Sequence, residues 1–202
     1  ESLPLNVSDS LFKAAVCFYG QQRSAIEQRL FIKTDSWHIL FYERIRRLFP
    51  EVPFILLYRS PGDIIVSHQR KRGMHAVPGI IEPSLFGFDS GAIKDLNLDN
   101  YLIKVLERYY SAYIEVMHQD KICVIVNYSE GVQHILKKIE NYIGMQLSRS
   151  EWEEVEKRSA FDAKSPQIRF SDAGNQSNKM EGMQQCMKFY NQLENIRISV
   201  SL

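Results

Sequence analysis

The spacing of apolar and polar residues along this chain switches repeatedly between a helical period and an extended one. Ser8-Asp9-Ser10, followed by Leu11-Phe12-Lys13-Ala14-Ala15-Val16, reads as a helix start with a capping side chain. Arg29 to Lys33 is a short apolar run that predicts a strand. Between Trp37 and Leu48, the apolar residues Ile39, Leu40, Ile45 and Leu48 fit an amphipathic helix, which Pro50 and Pro53 stop. Phe54 to Tyr58 is apolar throughout, as a parallel strand covered on both faces would be. Pro61 and Gly62 predict a turn, with Asp63 capping a helix that runs through Gln69. Residues 73–92 carry Gly, Pro and Ser at intervals and no period, which predicts a long loop of functional or mobile character.

The second half repeats the alternation. Leu98 to Met117 is strongly helical, with Tyr101, Tyr109, Tyr110 and Tyr113 expected in the core or at an interface. Lys121 to Asn127 reads as another buried strand, and Val132 to Ile143 as a helix ended by Gly144. A helix over Ser148 to Arg158, an irregular polar stretch from Ala163 to Lys179, and a closing helix from Glu181 to Leu193 complete the pattern. Strands alternating with helices predict an α/β fold with a parallel sheet flanked by helices.

Size and composition narrow the picture. A chain of 202 residues fits one domain, 1–202, with at most a small lid. Twenty-five Lys and Arg stand against 24 Asp and Glu, so wholesale nucleic-acid binding is not indicated. Cys17, Cys123 and Cys186 lack ligand spacing, and the five histidines are dispersed, so no metal site is expected. Three lone thiols, two buried and one exposed, suggest a reducing compartment such as the cytoplasm. No apolar run reaches about 18 residues, so no membrane span is predicted.

Candidate chemistry gathers where strands end. Arg59 leaves an apolar strand, and Ser67 follows eight residues on in the next helix. A guanidinium and a hydroxyl at such a junction suit a phosphate. The alternative for Arg59 is a salt bridge with Asp63 or Glu43. Lys33 and Asp35 follow the earlier strand and would approach Arg59 if the strands were adjacent, serving an anion and a proton transfer. Alternatively, Asp35 caps the helix from Trp37. Tyr128 and Phe161 could pack on an adenine or on the core. Arg70-Lys71-Arg72 is a basic knot, either a solvated helix end or an attraction for an acidic ligand.

Tyr58-Arg59-Ser60-Pro61-Gly62-Asp63-Ile64-Ile65-Val66-Ser67 resembles the strand-Arg-x-Pro-x-Asp-x-x-x-Ser segment of sulfotransferases that use 3′-phosphoadenosine 5′-phosphosulfate (PAPS), particularly bacterial members. The resemblance covers residues 29 to 165. It implies a P-loop nucleotide-hydrolase-like three-layer sandwich, with PAPS as co-substrate and an unidentified acceptor. It implies that Arg59 and Ser67 hold the 3′-phosphate. Phe31-Ile32-Lys33-Thr34-Asp35 resembles the segment that carries Lys-Thr-His, with Asp35 where the basic histidine stands. Asn127-Tyr128-Ser129-Glu130 resembles a Tyr-Glu segment whose tyrosine lies near the adenine, with the Glu one place further on. Arg158-Ser159-Ala160-Phe161 resembles the pair flanking the adenine, which implies that role for Ser159 and Phe161. Glu1-Ser2-Leu3-Pro4-Leu5-Asn6 is similar to a stretch whose glutamate can be the base, making Glu1 a candidate beside Asp35.

The family's phosphosulfate loop is expected upstream of Glu1, so the chain reads as a domain truncated at its N-terminus. Arg169 and Lys179 are the nearest matches to its C-terminal basic loop. The 73–92 loop is expected to border the acceptor. Two other readings compete. One is a non-catalytic nucleotide-binding or protein-interaction module of the same fold. The other is a related kinase, for which a Walker-type Gly-Lys-Ser/Thr loop is missing. Association into a homo-oligomer stays open.

Overall fold

The computed structural model describes residues 4–89, 91, 93, 96–162, 165–169 and 182–200. The chain divides into two compact units, Glu1–Val52 and Pro53–Leu202.

The first unit is helical. Helix α1 (Leu5–Tyr19) begins one turn earlier than the polar cluster suggests, with Pro4 at its N-cap position. Ser8 and Asp9 therefore lie inside the helix, and their side chains serve a different purpose. Asp9 accepts from Arg44 Nε at 2.6 Å and Arg47 Nη2 at 2.8 Å, while Arg44 Nη2 also reaches Ser8 Oγ at 2.7 Å. Hydrogen bonds from Arg47 and Arg44 hold the Asp9 carboxyl below its ordinary value. Those arginines come from helix α2 (Tyr42–Leu48), preceded by a 3₁₀ helix over Ser36–Phe41. The predicted helix from Trp37 is thus two helical pieces of different winding. The predicted strand at Arg29–Lys33 does not form; the segment is irregular and exposed, with Phe31 59% exposed. A parallel strand needs a neighbouring strand and cover on both faces, and among the described residues this exposed run pairs with no strand.

The second unit is mixed α/β. Strand β1 (Phe54–Tyr58) pairs in parallel with β2 (Cys123–Asn127), aligning Phe54 with Cys123 and Tyr58 with Asn127. Parallel neighbours need a long crossover. Here it consists of helix α3 (Pro61–Arg70), a loop, and helix α4 (Leu98–Gln119). Every β2 residue is buried, whereas Leu57 of β1 is 50% exposed, so β1 is not covered on both faces. Residues Ile65 of α3, Leu102 and Val105 of α4, and Val126 of β2 are fully buried. Each such aliphatic side chain contributes about 1.5–3 kcal/mol on leaving water. Tyr101, Tyr109, Tyr110 and Tyr113 belong to this core.

The described part of the predicted 73–92 loop is irregular, with 3₁₀ turns at Met74–Ala76 and Pro83–Phe86. It is pinned to α4: Phe86 lies 6.0 Å from Tyr109 and Phe88 5.6 Å from Tyr101 between ring centres. Beyond β2, helices α5 (Val132–Ile143) and α6 (Arg149–Ser159) follow as expected. Gly144 ends α5 in the left-handed region, and Ser148 starts α6 by accepting from the Glu151 amide while Glu151 returns a bond to Ser148. Part of the stretch expected to be irregular instead pairs: β3 (Phe161–Asp162) and β4 (Ser165–Arg169) form an antiparallel ribbon. The closing helix α7 (Gln184–Ser199) runs past its predicted end at Leu193, helped by an Arg197–Glu194 ion pair at 2.7 Å. Among the described residues, no helix is long and apolar enough to cross a membrane.

Candidate functional site

The carboxyl ends of parallel strands are where an α/β sheet offers backbone and side chains to a ligand. Here two strand ends lie side by side, since Tyr58 and Asn127 are register partners. The residue after each is a candidate from the sequence: Arg59 and Tyr128. The structure brings them together, with the Arg59 guanidinium carbon 4.9 Å from the centre of the Tyr128 ring. A guanidinium over an aromatic face is attracted by the ring's negative quadrupole.

Local sequence explains how Arg59 is aimed. Ser60 is the N-cap of α3 and accepts from the Asp63 amide at 3.3 Å, with Pro61 following as the first helical residue. Pro61 and Gly62 are therefore helical rather than a turn, and Ser60, not Asp63, is the cap. Serine before proline suits this start, because proline has no amide to leave unpaired. Asp63 is instead an ion partner of Arg59, at 3.4 Å from Nε. Of the two readings of Arg59, the ion pair with Asp63 is present. Asp63 and Ser67 are four residues apart on α3 and share a face. Arg59 precedes the helix and meets Asp63 in its first turn, and Ser67 follows Asp63 one turn on. The Arg59 carbonyl accepts the Tyr110 hydroxyl from α4 at 2.7 Å.

Tyr128 is aimed by Asn127. The Asn127 side chain accepts from the Ser129 amide at 3.0 Å, and Glu130 Oε1 accepts the Asn127 amide at 2.7 Å, a reciprocal cap over Tyr128–Glu130. Glu130 is also an ion partner of Lys138 and of Arg197, the latter at 3.3 Å. Burial pushes the Glu130 carboxyl up, but the bonds from Lys138 and the Asn127 amide and the charge of Arg197 outweigh it and leave the group below its ordinary value.

Helix α7 supplies a third layer that the sequence did not announce. Glu194 accepts from the Tyr58 hydroxyl, and from Asn127 Nδ2 at 2.6 Å. Asn127 Nδ2 also donates to the Tyr190 hydroxyl at 3.0 Å. Arg197 closes the set on Glu194. Burial raises the Glu194 carboxyl, and the bonds from Arg197, Tyr58 and Asn127 reverse that, leaving it lowered. Burial, with the bond to Glu194, pushes the Tyr58 hydroxyl far above its ordinary range. One signal for this layer was legible: Asn127 ends a wholly apolar strand, and a buried amide demands partners. The helix boundary at Leu193 hid them.

Lys33 and Asp35 are exposed residues of the first unit and sit on no strand, so the strand-end position expected of them does not form. Asp35 stands at the N-cap of the 3₁₀ helix without a side-chain capping bond. Ser159 closes α6, its hydroxyl donating back to the Glu156 carbonyl at 3.0 Å, and Phe161 opens β3 at 41% exposure. Arg169 is exposed at the end of β4. Glu1 and Lys179 lie outside the described residues. In the basic knot, Arg72 pairs with Asp99 at 2.7 Å, while Arg70 and Lys71 are exposed. Among the described residues, no three His, Cys, Asp or Glu side chains gather as around a metal ion. No protein-family model, curated protein or solved structure matches the chain.

Proposed function

We propose that this chain is a sulfotransferase-type domain that binds PAPS at the paired strand ends and passes its sulfuryl group to a hydroxyl or amine. The observation that supports the reading is the meeting of Arg59 and Tyr128 at the paired strand ends, the Arg59 guanidinium 4.9 Å from the Tyr128 ring, with Ser67 on the helix that follows Arg59. The donor set suits a phosphate monoester: a fork of N–H groups, a hydroxyl, and the positive end of a ten-residue helix. Arg59 and Ser67 take the 3′-phosphate, and Tyr128 packs beside the adenine, with Ser159 and Phe161 as its further contacts. A base takes the acceptor proton as the new S–O or S–N bond forms and the S–O bond to the phosphate breaks. The loop that carries Met74 and Phe86 borders the acceptor. In this reading the two paired strands belong to a three-layer, P-loop-like sandwich.

Asp63 is the group an incoming phosphate must contend with, because its carboxylate already faces Arg59 Nε at 3.4 Å. That gives the reading a signed test. The 3′,5′-bisphosphate of adenosine should stabilise the protein against heat more than AMP does. At 100 times its dissociation constant the stabilisation is about 2.7 kcal/mol. Arg59→Ala should abolish the difference, and Asp63→Asn should enlarge it. Equal responses to the two nucleotides would remove the 3′-phosphate site. The same contact between Arg59 and Asp63 also favours a second reading, a non-catalytic module in which the fork is structurally committed. Under that reading the preference is absent from the start and Asp63→Asn changes only stability.

A further inference from the structure

Arg59 and Tyr128 are 69 residues apart in sequence and come from different strands. Their contact depends on how the two strand ends are held. Tyr58 and Asn127, the residues immediately before them, both bond to a single carboxylate oxygen, Glu194 Oε1. The other oxygen of that carboxylate faces Arg197 Nη2 at 2.7 Å. Arg197 then reaches Glu130, whose Oε1 accepts the Asn127 amide at 2.7 Å, closing a ring of contacts around the start of the Tyr128 turn.

We propose that Glu194 is a positioning residue: from helix α7, one carboxylate oxygen ties the last residue of β1 to the last residue of β2, and so sets Arg59 against Tyr128. The inference rests on the reading of those two residues as the nucleotide-binding pair. Glu194 itself acts through Tyr58 and Asn127. The chemistry requires a carboxylate. Tyr58, Asn127 and, at 3.3 Å, Arg197 Nε converge on Oε1 while Arg197 Nη2 covers the other oxygen, and only a group that accepts at both ends and carries negative charge satisfies all of them. A glutamine of the same shape turns an NH2 toward Arg197 or toward Tyr58 and Asn127, so donors meet donors. Packing also joins α7 to β1, since the Tyr190 ring lies 5.8 Å from that of Tyr58, and a variant that alters only the Glu194 carboxylate leaves it in place.

Glu194→Gln and Tyr58→Phe separate positioning from folding. Each keeps its side chain's volume, and Tyr58→Phe removes only the β1 half of the tie. The first readout needs no nucleotide: the ring-current shift that Tyr128 imposes on the Arg59 side-chain protons, measured by NMR. Positioning predicts that this shift collapses in Glu194→Gln and changes in Tyr58→Phe, while α5 and α6 amide signals stay where they were. The second readout is the ratio of affinities for adenosine 3′,5′-bisphosphate and AMP, expected to fall roughly fivefold or more in Glu194→Gln. An unchanged Arg59 ring-current shift in both variants overturns the positioning role. A collapsed shift in a protein whose unsubstituted form shows no bisphosphate preference upholds the role and overturns the PAPS reading instead.

Discussion

Tyr110 donates its hydroxyl to the main-chain carbonyl of Arg59 at 2.7 Å, tying the core of α4 to the residue where β1 ends. The hydroxyl is deeply buried, and burial is the leading reason that it resists ionisation far above the ordinary tyrosine range. Tyr110→Phe keeps the ring, which also lies 6.3 Å from the Tyr190 ring, and removes the donor alone. The expected cost is about 1 kcal/mol in urea unfolding, the typical net worth of one buried hydrogen bond. A loss near zero would mean that water replaces the hydroxyl at that carbonyl.

The parts of this architecture that were readable in advance are those with a local cause. Val132–Ile143 could be bounded to the residue because its apolar stripe runs into Gly144, and the end of β2, though not its start at Cys123, because an apolar run stops at Asn127. Arg59 was readable as a charged residue leaving an apolar strand, and its ion pair with Asp63 as the ordinary answer to that burial. Arg29–Lys33 misled because a strand is stabilised by its neighbour, and the pattern of one segment carries no information about whether a neighbour exists. Asp9 misled for a related reason: a short acidic side chain caps a helix or answers a distant arginine, and Arg44 and Arg47 lie more than thirty residues on. The Glu194 contacts were hidden by distance in sequence as well, since nothing near position 194 reveals which strand ends it will meet.

Acid should loosen the strand ends. Glu194 and Glu130 both have carboxyls held below their ordinary value of 4.5, despite the opposing effect of burial. A group lowered in the fold contributes stability that is complete above its unfolded pKa and is lost as pH falls through its folded pKa. Stability should therefore be flat down to the ordinary glutamate range and decline below it. Glu194→Gln should flatten that decline while lowering stability at neutral pH. Urea midpoints measured across this window test the sign, and a variant with the same acid slope as the parent would exclude Glu194 as its source.

Thiol reactivity should split the three cysteines. Cys17 is exposed on α1, whereas Cys123 and Cys186 are buried, and burial pushes the Cys186 thiol up to about 12. The thiolate is the reactive form, so Cys186 is protected by its protonation state as well as by access. A maleimide at neutral pH should label one site quickly, and Cys17→Ser should remove that fast phase. Labelling of Cys186 should then report opening of α7 from α4. Three equal rates would contradict the packing of both buried thiols.

Gly144 offers a test of backbone conformation with packing held aside. It caps α5 at φ 60° and ψ 47°, in the left-handed region that a side chain disfavours. A Cβ built at this position meets nothing within 4 Å, so a substitution has no steric neighbour to displace. The whole cost of Gly144→Ala should therefore be conformational, about 1–2 kcal/mol by the penalty for an L-residue in this region. Gly144→Asn should cost less, because asparagine tolerates the same conformation through local hydrogen bonding. Loss at the helix end should also show as faster amide exchange in the last turn of α5, where the Met145 amide now bonds to the Glu140 carbonyl at 2.9 Å. If alanine and asparagine destabilise equally, the left-handed cap is not what ends the helix.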